Sequence, residues 1–418
     1  MMAGAVLAVN LLLLAATLLG EPAPREVGRW EVMLSAGVVA ATALLAVRLL
    51  RRRPLHPGPS TRVAMLATAC FAIPVIGSIL VGALRGVPFD TAFRSALPYL
   101  AFMPVALLGT ICEDERAARW TVRAMIAIGV VQAVYLLALY AAGPIDLLNP
   151  RAVRLARTTL FDPRTTVPLI LGAVALPLGE LAAARSRVAR AGWIVVSLTA
   201  FVGIASTQTR AHLLAAIFSV GTFLLLAAAR RAVLAGQAAT RGLVRGAAAF
   251  TLLVAVASIA VVAIPYSRSL ASAIVLRLQE RDNNRVVDEW TPAFGAMMDA
   301  GAAGVLAGVG SGESFVTASG DQRTYVHNLV IYAALYYGVP GAGLILLAYL
   351  LLVVGLVRRG LRGGGPRFLA LAALTVALLV YAQFFAVHKL LSYNLMLALV
   401  LQVALLPGPE APSVSAPA

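Results

Sequence analysis

Arg277, Arg281 and Arg285 recur at every fourth position, which on a helix puts three guanidiniums on one face. Three cations in a row repel one another unless anions lie against them. Asp282, Asp288 and Glu289 in the same segment are one source, giving a solvated ion-pair network. A phosphorylated ligand is the other, because the planar guanidinium fork matches phosphate oxygens. Arg210 stands in Ser206-Thr207-Gln208-Thr209-Arg210-Ala211-His212, a polar island between two apolar runs with almost no loop. It either snorkels to lipid headgroups or faces inward as a functional charge at the membrane boundary. Arg164 opens an apolar run in the same manner, within Asp162-Pro163-Arg164-Thr165-Thr166; a helix-start pair with Asp162 is the alternative. His327, in Val326-His327-Asn328-Leu329, is either an ordinary interfacial histidine or a base suited to taking a proton near neutral pH. His212 and His388 read as structural, and His56 as an inert loop residue.

These side chains are carried by a very apolar polymer. Of 418 residues, 61% are hydrophobic and 12% charged, and the mean hydropathy is +0.89. That composition excludes the soluble globular classes and indicates a polytopic membrane protein. The net charge of +16 would point to nucleic acid in a soluble protein. Here much of it is orientation signal, and nucleic acid is not expected as a partner. Cys70 and Cys112 sit in separate apolar runs without metal-ligand or redox spacing, as small buried hydrophobes. Met1 to Gly20 has no basic leader region and reads as an uncleaved first span.

Apolar runs of roughly 17–25 residues suffice to cross a bilayer as helices. Twelve are read, at about 2–20, 31–50, 63–84, 93–112, 124–142, 166–184, 193–209, 211–229, 246–265, 338–357, 368–386 and 392–407. The expected fold is an all-α polytopic membrane protein in four parts: spans one to nine (1–265), an outer loop with helical segments carrying the chemistry (266–337), spans ten to twelve (338–407) and a disordered Pro/Ala/Ser-rich tail (408–418). Gly338-Val339-Pro340-Gly341 should break the helix between about 327–337 and span ten. Nineteen of the 34 basic residues, among them Arg51, Arg116, Arg187, Arg230, Arg359 and Arg367, fall in short alternate loops. The positive-inside rule places these loops and both termini in the cytoplasm. Of the other fifteen, ten crowd three outer loops: Arg151, Arg154, Arg157 and Arg164; Arg210; and Arg268, Arg277, Arg281, Arg285 and Arg323.

Several tempting motifs are set aside. Gly308-Val309-Gly310-Ser311-Gly312 has the look of a phosphate cradle, but no strand precedes it; it reads as a flexible turn. No carboxylate, His or Cys set has metal-ligand spacing, so no metal or other cofactor is expected. Paired glycosidase-type carboxylates on one outer face are also missing.

Asn284-Arg285-Val286-Val287-Asp288-Glu289-Trp290, the Gly308–Gly312 turn, Val326-His327-Asn328-Leu329-Val330 and Tyr337-Gly338-Val339-Pro340-Gly341 occur in that order. The pattern resembles the O-antigen ligase-like family: an Arg shortly before a Trp, a Gly-x-Gly turn, a His-Asn pair, then a helix ending in Gly. Thr209-Arg210-Ala211 is similar to the family's Ser-Arg turn between adjacent spans, with Thr209 where serine is usual. The motifs cover about 130 residues; their order and topology carry the likeness more than any one of them does.

The resemblance implies a C-type membrane glycosyltransferase fold. It also implies transfer of O-antigen saccharide from undecaprenyl pyrophosphate to lipid A-core, at the periplasmic face of the bacterial inner membrane. Arg210 and Arg285, with Arg164 as a third, would bind the pyrophosphate, and His327 would deprotonate the acceptor hydroxyl. Arg151, Arg154 and Arg157 are candidate contacts to lipid A phosphates or to anionic membrane lipids. An O-antigen polymerase would use the same donor site with a lipid-linked chain as acceptor. A lipid-linked saccharide flippase is the non-enzymatic alternative; transporters usually hold their polar groups at membrane mid-depth, whereas here these groups gather at span ends.

Overall fold

Long apolar runs with few charges can satisfy their backbone in a bilayer only as helices or closed barrels, and this chain takes the helical route. A computed structural model describes residues 2–17, 29–50, 59–111, 115–141, 163–207, 210–236, 238, 240–241, 244–248, 285–387 and 390–406. The helices are α1 (Met2–Thr17), α2 (Arg29–Leu50), α3 (Pro59–Leu84), α4 (Phe89–Leu100), α5 (Met103–Leu107), α6 (Glu115–Ala141), α7 (Pro163–Ala183), α8 (Arg187–Ser206) and α9 (Arg210–Leu234), followed by α10 (Thr291–Asp299), α11 (Gly301–Ala307), α12 (Leu329–Arg359), α13 (Pro366–Ala382) and α14 (Leu391–Leu405). A two-stranded antiparallel hairpin, β1 (Phe315–Val316) with β2 (Gln322–Arg323), interrupts the helical pattern in the loop.

Seven described helical stretches are long and apolar enough to cross a membrane: Arg62–Leu84, Phe89–Thr110, Glu115–Ala138, Thr166–Ala183, Arg187–Ala205, Ala211–Leu234 and Leu329–Arg359. Ala3–Thr17, Met33–Val47, Pro366–Ala382 and Leu391–Leu405 are shorter apolar helices. The chain is thus a helical polytopic membrane protein. These eleven stretches fall on eleven of the predicted intervals, and the ninth, 246–265, lies almost wholly outside the described residues. The fourth is built from α4, α5 and a 3-10 turn (Leu108–Thr110).

α7 and α14 run through the middle of the bundle, with nearly every side chain buried. α12 packs along α3, and α13 lies against α9 and α7. One interior polar group links three helices: Asn10 Nδ2 donates to Thr121 Oγ1 (2.9 Å) and to Gln402 Oε1 (2.7 Å), tying α1, α6 and α14 together. The described arginines sort to the two bundle ends. At one end Arg230 Nε donates to Gly360 O (3.1 Å), Arg359 Nη1 to Leu406 O (2.6 Å), and Arg367 pairs with buried Glu180. All three belong to the set predicted to be cytoplasmic. Arg285, Arg323 and His327 lie at the opposite end.

The expected helix break occurs at Gly338, whose φ of +74° is non-helical within α12. The Gly308–Gly312 segment overturns its reading as a flexible turn: Gly308 to Ser311 are buried. Val309 N donates to Leu335 O (2.7 Å) and Ser311 N to Ser78 O (2.9 Å). Glycine here serves close packing of backbone on backbone, since a Cβ on Gly310 would lie 2.3 Å from Gly82 N, and one on Gly308 would lie 2.4 Å from Tyr336 C. Gly310→Ala is therefore expected to destabilise by at least about 2–3 kcal/mol, from left-handed strain plus collision. Gly320→Ala, with the same φ of +88° but nothing within 4 Å, should cost only about 1 kcal/mol. Thermal unfolding in detergent checks the order; equal losses would remove the packing role.

Candidate functional site

Asn328 starts α12 by accepting from Val330 N and Ile331 N (3.0 Å each), the usual service of an N-cap asparagine. That cap fixes the preceding residue, His327, just outside the helix, with its side chain 22% exposed. The partner of His327 comes from 38 residues earlier. Val286–Trp290 forms a π-helical turn running into α10, and Glu289 within it is only 3% exposed. His327 Nδ1 lies 2.9 Å from both carboxylate oxygens of Glu289, and His327 N donates to Glu289 Oε2 at 3.2 Å.

Glu289 also pairs with Arg323 on β2, and Arg323 Nη2 reaches Asp321 at 2.9 Å. The hairpin that carries Arg323 is pinned by Asp288, whose Oδ1 accepts from Ser319 N (2.9 Å) and whose carbonyl accepts from Ala318 N (3.0 Å). Burial raises the Glu289 pKa, but the hydrogen bonds and charge of His327 and the charge of Arg323 outweigh it and hold the carboxyl below its usual 4.5. Glu289 is therefore anionic at neutral pH. An anion against Nδ1 requires the hydrogen on Nδ1, which leaves the Nε2 lone pair of neutral His327 free to accept a proton. The Tyr325 ring packs edge-on to the imidazole, 5.2 Å between centroids.

The closing turn of α13 joins further sequence candidates to this group. Asn328 Nδ2 donates to Gln383 O (3.3 Å) and Arg285 Nη1 to the next carbonyl, Phe384 O (2.6 Å). That bond holds Arg285 at the site. On the other flank, His212 is buried between Tyr381 and Phe385, with centroid distances of 5.5 and 5.0 Å, and bonds Thr207 at 2.8 Å. This structural histidine seats the start of α9, which Arg210 opens, against the same turn. Arg164, second residue of α7, begins at the same bundle end. Arg151, Arg154, Arg157, Arg277 and Arg281 lie outside the described residues, as do His56 and His388.

Glu289 is thus the candidate residue that the sequence does not single out, because there it reads as a partner for the neighbouring arginines. Among the described residues its partners are Arg323 and His327, brought in by the hairpin and the α12 cap; Arg277 and Arg281 lie outside those residues. Arg323, with carboxylates of Glu289 and Asp321 on it, is a structural cation rather than a ligand site. A carboxylate oriented on an imidazole beside an anchored guanidinium equips this end of the bundle for proton removal next to an anion. No family model matches the chain, and no curated protein matches it.

Proposed function

We propose that this chain is a metal-independent, inverting glycosyltransferase of the O-antigen ligase-like family. It moves O-antigen polysaccharide from undecaprenyl pyrophosphate to a sugar hydroxyl of lipid A-core, completing lipopolysaccharide. On this reading the bundle has about twelve spans in a C-type glycosyltransferase arrangement within the bacterial inner membrane. Both termini are cytoplasmic and the histidine end faces the periplasm.

The observation that carries the reading is the Glu289–His327 pair set beside Arg285 on the closing turn of α13. His327 Nε2 takes the proton of the acceptor hydroxyl as its oxygen attacks the anomeric carbon from the side opposite the pyrophosphate. The glycosidic C–O bond to the pyrophosphate breaks, and the departing lipid diphosphate carries the bonding pair. Arg285 and Arg210, with Arg164 as a weaker third, stabilise that growing negative charge, usually the largest single catalytic contribution. No nucleotide is needed, because the donor already holds an activated leaving group.

Purified protein supplied with lipid-linked saccharide and lipid A-core, followed by mass spectrometry of the products, tests the reaction. Saccharide joined to lipid A-core is expected. Saccharide on lengthened carrier would make the chain a polymerase, and unreacted donor would remove the enzymatic reading. Arg285→Lys keeps the charge but loses the fork, and is expected to lower kcat by about 10–10²-fold. Unchanged turnover would mean that bidentate contact is unimportant.

A further inference from the structure

A cavity of about 250 Å³ opens beside the histidine cluster without sharing a residue with it. Its walls include Arg85 just past α3, Glu313 and Ser314 ahead of β1, Phe315 of β1, Tyr336 of α12 and Ala296 of α10. Phe315 stands opposite Arg323 in the hairpin, and Arg323 holds Glu289. Tyr336 lies eight residues along α12 from Asn328, roughly 12 Å at helical rise. The hairpin and the first segment of α12 therefore position both the cavity and the imidazole.

We propose that this cavity is a subsite for one neutral, hexose-sized residue of a saccharide substrate, an inference that rests on the glycosyl-transfer reading above. Size is the first argument. At about 30 Å³ per water, the space of about 250 Å³ holds about eight waters, enough for one sugar ring. Charge is the second. Arg85 and Glu313 bring opposite signs to one wall, and among the described residues neither side chain has a hydrogen-bond or ion-pair partner. A phosphate drawn to Arg85 would be repelled by Glu313, whereas sugar hydroxyls donate to the carboxylate and accept from the guanidinium.

Lining chemistry is the third argument. Phe315 and Tyr336 are buried and close the inner wall, and Ser314 adds a hydroxyl. The wall is also prebuilt. Tyr336 Oη donates to Glu313 O at 3.0 Å, and the buried Gly308–Ser311 backbone fixes the approach to Glu313. Rigid support of this kind is what a binding site requires.

Saturation-transfer NMR on the full chain in lipid nanodiscs, with free glucose and galactose as probes, tests the proposal. A Kd on the order of 1–10 mM is expected for a single hexose. Transfer should fall at least about fivefold in Glu313→Gln and in Ala296→Leu, which fills the space. His327→Ala, which loses turnover, should keep the saturation-transfer signal of the bound hexose, and inorganic pyrophosphate should not displace the sugar. Should Ala296→Leu not fold, Arg85→Gln at an exposed position replaces it. Absence of transfer, equal transfer in all variants, or displacement by pyrophosphate would each overturn the subsite. Intact hexose binding in a protein that transfers no saccharide would instead remove the reaction and leave the cavity standing.

Discussion

His327→Ala is expected to leave a folded bundle that transfers saccharide about 10²–10⁴-fold more slowly, the range of a lost general base. His327 sits outside α12, a fifth exposed, and its polar contacts run to Glu289. The cap of α12 comes from Asn328, not from the imidazole. Truncation therefore deletes the Nε2 acceptor while the helix start persists, and thermal unfolding should shift little. Saccharide ladders on lipid A-core in cells carrying the variant, with initial rates in vitro, are the readouts. A normal ladder would remove His327 from the chemistry.

Glu289→Gln carries the second large effect: kcat lower by about 10²-fold with KM nearly unchanged. Glutamine still offers an oxygen to Nδ1–H, but the anion that fixes the tautomer and favours the imidazolium is gone. The loss is smaller than for His327→Ala because the base itself remains. Stability should respond differently. Arg323 and His327 are partly solvated, so at neutral pH the variant should lose only about 1 kcal/mol.

The pH dependence separates the two roles. The folded Glu289 carboxyl is held below its usual 4.5, so its stabilisation is present above that value and fades as pH falls through the lowered one. Wild-type unfolding should show an acid limb below about pH 4.5 that flattens in Glu289→Gln. A variant with wild-type kcat and only the altered acid limb would make Glu289 purely structural.

The helical bundle, the break at Gly338 and the His-Asn entry into α12 were legible because each follows from local chemistry: apolar run length, Gly-Pro punctuation and a side-chain cap. Arg285 and His327 were legible as residue types in the wrong place for a lipid environment. The Glu289–His327 pair was not. It depends on a hairpin and a π-turn bringing together groups 38 residues apart, and Arg277, Arg281 and Arg285 offer nearer partners in the sequence. The Gly308–Gly312 segment is ambiguous in the sequence for a related reason. An open turn and a backbone wedged between α3 and α12 both demand glycine, and only the tertiary contacts separate them.

Placement of a lipid diphosphate among outward-facing guanidiniums, beside one imidazole, is tested most directly by equilibrium binding of undecaprenyl pyrophosphate to the purified chain in nanodiscs. Binding in the wild type and in His327→Ala, weakened at least about tenfold in Arg285→Gln and in Arg210→Gln, is the expected result. Equal affinity in all four proteins, or no binding to any, would contradict it.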